Sequence, residues 1–184
     1  MLLERFKSFA YRVKLNFLGV RLKHPIRGHG FLFGNMNGLK NGAFIMLESF
    51  VKLNIAGKDA VLTIDDFVYI NSHTIIDCHY SISIGKRVQV GPYCYIGDFD
   101  HNISVDVRKP QHRGNKIYDA VVIEDNVWLG AGVIVLKGVT IGKNSVIAAG
   151  AVVVNNIPEN VLAAGTPARI IKKIENNFDD ESIL

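Results

Sequence analysis

At 184 residues, with 48% hydrophobic and 21% charged positions, the chain has enough apolar material for one domain with its own core. The net charge of +4 suits an anionic ligand or an anionic membrane surface. The excess is too small to argue for nucleic acid, no basic stripe interleaved with aromatics accompanies it, and no nucleic-acid partner is expected. Two cysteines, Cys78 and Cys94, are too few for a disulfide framework, and no apolar run reaches the ~18 residues of a membrane-spanning helix.

The first segment, residues 1–24, reads as an amphipathic helix. Leu2, Leu3, Phe6, Phe9 and Val13 share one helical face, and Arg5, Lys7, Arg12 and Lys14 add charge. Two roles suit it: capping the edge of the first coil that follows, or lying peripherally on the inner face of an anionic membrane. It lacks the apolar core and small-residue cleavage site of a secretory signal, so the expected compartment is the cytoplasm.

A single domain is expected over 25–174. Residues 28–63 carry Gly and Asn punctuation between β-branched patches and read as irregular early coils whose register the sequence leaves open. A six-residue beat then begins: IDDFVY from Ile64, INSHTI from Ile70, IDCHYS from Ile76. After two extra residues it resumes at Ile84 and Val90 and reaches Ile96. From Ile123 it runs on without interruption through Leu129, Val135, Ile141, Ile147 and Val153. A period of six is neither helical nor a simple strand alternation. It predicts short strands and tight turns wound into a β-helix, with the aliphatic first position facing the axis and each coil stabilised by its neighbours.

The beat fails once, over 98–121, between two stretches of good repeats. A long polar excursion from a stiff wall is where a site concentrates, and His101 stands close to its root. Two carboxylates, Asp100 and Asp98, are nearby as orienting partners for the imidazole, as is a backbone carbonyl. His73 and His79, one hexad apart, could share a face and hold a metal, but no third ligand in the right pattern joins them; no metal is expected.

The run VVIEDNVWLGAGVIVLKGVTIGKNSVIAAGAVVVNNIPENVLAAGTPARIIKKI resembles the hexapeptide-repeat acyltransferases, and within them the sugar O-acetyltransferases of the maltose, galactoside and surface-polysaccharide type. The resemblance covers about 60–174. It implies a left-handed parallel β-helix; with the sequence reading, the expected fold is all-β with a protruding loop and short helices at the N- and C-terminal ends. The resemblance further implies a homotrimer with active sites between subunits, acetyl-CoA as co-substrate, and a sugar or glycan acceptor. His101 matches the family's catalytic base, and Asn71, His79 and Trp128 fall where acceptor-site residues lie. The galactoside enzymes carry a carboxylate at the position of His79, and that departure leaves two roles open for it, binding the acceptor or shuttling a proton. Gly130, Ala131, Ala148 and Ala149 match the low wall along the pantetheine arm. Thr166, Pro167 and Ala168 match the adenine end, and Arg169, Lys172 and Lys173 are candidates for the cofactor's phosphates. The acidic residues 175–184 form a fraying tail. Two other functions stand beside O-acetylation: N-acetylation of an amino sugar, and a non-catalytic β-helical scaffold.

Overall fold

The computed structural model describes residues 27–28, 30–101 and 116–175. The segment 1–24, the tip of the excursion and residues 176–184 lie outside them.

The hexad rule places the core. Every first-position residue from Ile64 to Val153 is at most 1% exposed, and Val68, Val88, Val127, Val133, Val139 and Ala151 from the fifth positions join them. A side chain pointing inward on one coil stacks on its counterpart in the next, so a single aliphatic column forms the axis.

Three parallel sheets form the walls. The first holds β1 (Arg27–Gly28), β4 (Met46–Leu47), β7 (Tyr69–Ile70), β10 (Gln89–Val90), β15 (Trp128–Leu129), β18 (Val146–Ile147) and β20 (Val161–Ala164). The second holds β2 (Phe31–Gly34), β5 (Lys52–Ile55), β8 (Ile75–Cys78), β11 (Tyr95–Gly97), β16 (Ile134–Val135) and β19 (Val152–Val153). The third holds β3 (Leu39–Asn41), β6 (Val61–Ile64), β9 (Ser81–Ile84), β14 (Val121–Ile123) and β17 (Thr140–Ile141). The chain visits the three in turn, one circuit per coil. The early coils, whose register was open, pair in order with the later ones: Leu32 with Leu53, and Leu53 with Ile76.

Two departures from parallel pairing matter for the site. Between the second and third sheets of the fourth coil, the chain leaves the wall as an antiparallel ribbon, β12 (Phe99–His101) against β13 (Lys116–Tyr118). At the C-terminal end, β21 (Arg169–Lys173) turns back antiparallel on β20. The expected C-terminal helix is therefore a strand: the exposed edge of β20 offers unpaired backbone groups, and pairing with them outweighs the local turn of a helix.

Candidate active site

Most of the residues singled out in the sequence gather at two corners of the coil; Trp128 stands on the first sheet, and Lys172 and Lys173 pair with the start of β20, away from both. The first is the root of the ribbon. Asp98 is fully buried there. Its carboxylate accepts the backbone N–H groups of His79 at 2.8 Å, Tyr80 at 2.8 Å and Ser81 at 2.7 Å. Three donors replace the water a charge would otherwise lose, so burial is tolerable. The Asp98 carbonyl accepts the N–H of Asp119 at 2.9 Å and ties the outgoing strand to the returning one. Cys78 Sγ lies 3.6 Å from Asp98 Oδ2. Burial, then the Asp98 charge, pushes the Cys78 thiol up to about 12, so it stays protonated and inert at neutral pH.

Above this clamp the aromatic rings build outward. The His79 ring lies 3.9 Å, centroid to centroid, from Phe99, and 6.3 Å from Tyr118. Its Nε2 is 3.1 Å from Asp77 Oδ1, and its side chain is only 10% exposed. The ring of His101 meets Phe99 edge-on at 5.9 Å and 84°. His101 itself is exposed. Asp100 accepts the backbone N–H of His101 at 2.8 Å and lies 3.9 Å from Lys137 Nζ. Asp98 is committed to the turn beneath. Both carboxylates left open as orienting partners thus serve backbone geometry. Burial, then the charges of Asp77, Asp98 and Asp100, raises the Tyr95 hydroxyl above its ordinary value.

The second corner joins the first and second sheets. Asn71 opens it on the third coil, where its Oδ1 accepts the N–H of Ser72 at 2.7 Å and fixes the turn. Farther into the corner, Phe50, His73, Tyr93, Gly132 and Gly150 hold corresponding places on successive coils, all with positive φ. Phe50, His73 and Tyr93 form a ladder with 4.9 Å between neighbouring rings, and it stops at Gly132. Beyond it the corner is built of Gly130, Ala131, Gly132, Ala148, Ala149 and Gly150, and its rim is bare of large side chains. Trp128, 55% exposed, stands on the adjoining first sheet between Gln89 and Val146. Thr166 Oγ1 lies 3.4 Å from the Gly150 carbonyl, Pro167 follows through a cis bond, and Ala168 is buried. Arg169, Lys172 and Lys173 are exposed on β21.

The metal reading of His73 and His79 fails on this geometry. The two flank β8 and turn into different corners, one stacked between Phe50 and Tyr93, the other beneath Phe99. A cavity of about 620 Å³ on the early coils, against Lys40, Thr63, Asp65, Asp66 and Lys86, holds none of the candidate residues. Sequence reasoning missed Asp77, Phe99 and Tyr118. One signal was available: two aromatics bracketing an otherwise polar excursion.

The bacterial transferase hexapeptide family model, six repeats long, matches residues 120–155, the stretch that carries this bare corner. Over those residues the coil is a hexapeptide repeat of the bacterial transferase type. The chain is similar to galactoside O-acetyltransferase of Lactococcus lactis, 46% identical over 110 residues, which are 60% of this chain and 52% of the relative. The chain spans about half the length of the curated relatives it matches. A hexapeptide-repeat acetyltransferase of Vibrio cholerae, solved in complex with acetyl coenzyme A, matches with a TM-score of 0.61 and 28% identity over 90% of this chain and 76% of that one. An N-acyltransferase of Bacillus cereus shares the fold, with a TM-score of 0.74 and 18% identity over 89% of each chain.

Proposed function

We propose that this hexapeptide-repeat protein transfers the acetyl group of acetyl-CoA to a hydroxyl of a sugar or glycan, directly in a ternary complex, with His101 as general base. The observation that carries this reading is the exposed imidazole of His101 on a ribbon whose root is clamped to a rigid wall by a buried carboxylate. A hydroxyl is a poor nucleophile toward a thioester. A neutral imidazole removes its proton as the C–O bond forms and returns it to the departing thiolate.

The bare corner from Gly130 to Gly150 suits the pantetheine arm, and Thr166, Pro167 and Ala168 suit the adenine end. Arg169, Lys172 and Lys173 supply cations for its phosphates. Asn71 and Trp128 lie on the acceptor side of that path. The similarity to galactoside O-acetyltransferase favours a hydroxyl acceptor. Within one chain the second sheet separates His101 from this corner, which supports a site built between copies packed side by side, as in a homotrimer.

The test is acetyl transfer by the purified protein across a panel of hydroxyl and amino sugars, read as release of free CoA. His101→Ala is expected to lower turnover by about 10²–10⁴-fold, with CoA binding and fold retained. Undiminished transfer by that variant rejects the base. Transfer confined to amino sugars rejects O-acetylation in favour of N-acetylation.

A further inference from the structure

The resemblance to the sugar acetyltransferases puts His79 at an acceptor position, yet its surroundings describe a different task. Its backbone N–H donates to the buried Asp98 carboxylate. Its Nε2 is turned toward Asp77. Its ring lies against Phe99 at 3.9 Å, a closer approach than any other aromatic pair recorded among the described residues. Phe99 in turn presents its ring to His101. Read outward, Asp98 sets the turn of His79, the His79 ring supports Phe99, and Phe99 abuts the imidazole at the end of the ribbon.

We infer that His79 and Phe99 are positioning residues that form a pedestal for His101, and that His79 does not bind the acceptor. The inference rests on the reading of His101 as the base. A base must meet the reacting hydroxyl within hydrogen-bond reach. His101 is exposed, and its own carboxylate neighbour is occupied with backbone, so packing against Phe99 limits the arc its ring sweeps. The His79 ring beneath Phe99 limits how far Phe99 tilts. A contact residue for the sugar would have its polar edge in the open. His79 has Nε2 on a carboxylate of its own wall and a side chain that is only 10% exposed.

The experiment uses the full chain with acetyl-CoA and methyl β-D-galactopyranoside. His79→Ala and Phe99→Ala are each expected to lower kcat by about 10²-fold, the cost of a misplaced catalytic group, with the acceptor KM changed less than twofold. Phe99→Tyr keeps the ring and recovers most of the rate. Independently of turnover, the imidazole proton resonances of His101 should carry the ring-current shift of Phe99. They should move toward free-histidine values in Phe99→Ala and in His79→Ala, but not in Phe99→Tyr. A raised acceptor KM with kcat intact in His79→Ala overturns the inference in favour of sugar binding. Unmoved His101 resonances in both alanine variants overturn it outright. If His101→Ala itself keeps full activity, the base assignment falls, while the resonances still report whether the pedestal holds the ring.

Discussion

Gly130 and Gly132 are two residues apart in one GAG triplet, and the coil uses them for opposite reasons. A Cβ on Gly130 would meet the backbone nitrogen of Ala149 at 2.6 Å, so the next coil occupies that space. A Cβ on Gly132 would have only the Gly150 nitrogen near it, at 4.0 Å, and one on Gly150 would meet nothing within 4 Å. Positive φ does not demand glycine here either: Tyr93, Asn126, Asn144 and Asn160 all adopt it at corners of this coil. Packing therefore requires Gly130, whereas Gly150 keeps a surface clear. Gly130→Ala is expected to destabilise by about 1–3 kcal/mol through overpacking, read as a lower urea midpoint. Gly150→Asn should cost no more than about 1 kcal/mol, because asparagine tolerates this backbone. If the corner carries the pantetheine arm, the same variant weakens CoA binding in calorimetry. Unchanged affinity in Gly150→Asn would detach the cofactor from this corner.

At the scale of elements, the hexad was legible wherever each circuit adds nothing to it. Trp128 pairs with Val146 eighteen residues on, three clean hexads, and every inward residue there is buried. Met46 pairs with Tyr69 across a longer circuit with Ala56-Gly57-Lys58-Asp59-Ala60 added at a corner, and there the beat dissolves although the stacking continues. The ribbon and β21 were not legible, because antiparallel pairing leaves no six-residue period behind. Arg169 to Lys173, with two isoleucines among basic residues, reads as well as a helix as it does as a strand. What decides is the open edge of β20. The site shows the same limit: His101 stood out by its place in the excursion, but the enclosure of His79 is a property of Phe99 and Asp98, twenty residues away. A chain ending at Ala168 would bare the β20 edge, whose unpaired N–H and C=O groups template association. It is expected to scatter light at concentrations where the full chain remains monodisperse. Equal dispersity for both would mean that β21 serves binding alone.

For the whole molecule, the separation of the two corners is the governing constraint. His101 leaves the coil where β11 ends, whereas Tyr93 precedes the start of that strand and the glycine corner precedes its neighbours β16 and β19. The second sheet, four residues wide at β8, puts roughly 13 Å of strand between them. A rigid solenoid cannot fold one edge onto the other, since each coil is fixed by hydrogen bonds to the next. A neighbouring copy can do so, because a rotation that places one molecule's ribbon against another's bare corner joins the halves and, on closing, repeats the site at every contact. Two damaged chains then complement each other. His101→Ala keeps an intact corner, and Gly150→Asn keeps an intact imidazole. Unfolded together in equal amounts and refolded, they are expected to recover about a quarter of the wild-type rate, the fraction of contacts that pair two sound halves under random assortment. Either variant refolded alone should recover little. A site contained within one chain would yield no recovery on mixing, since no single chain then carries both halves, and that outcome would require the base and the thioester to meet by some route other than the contact of two copies.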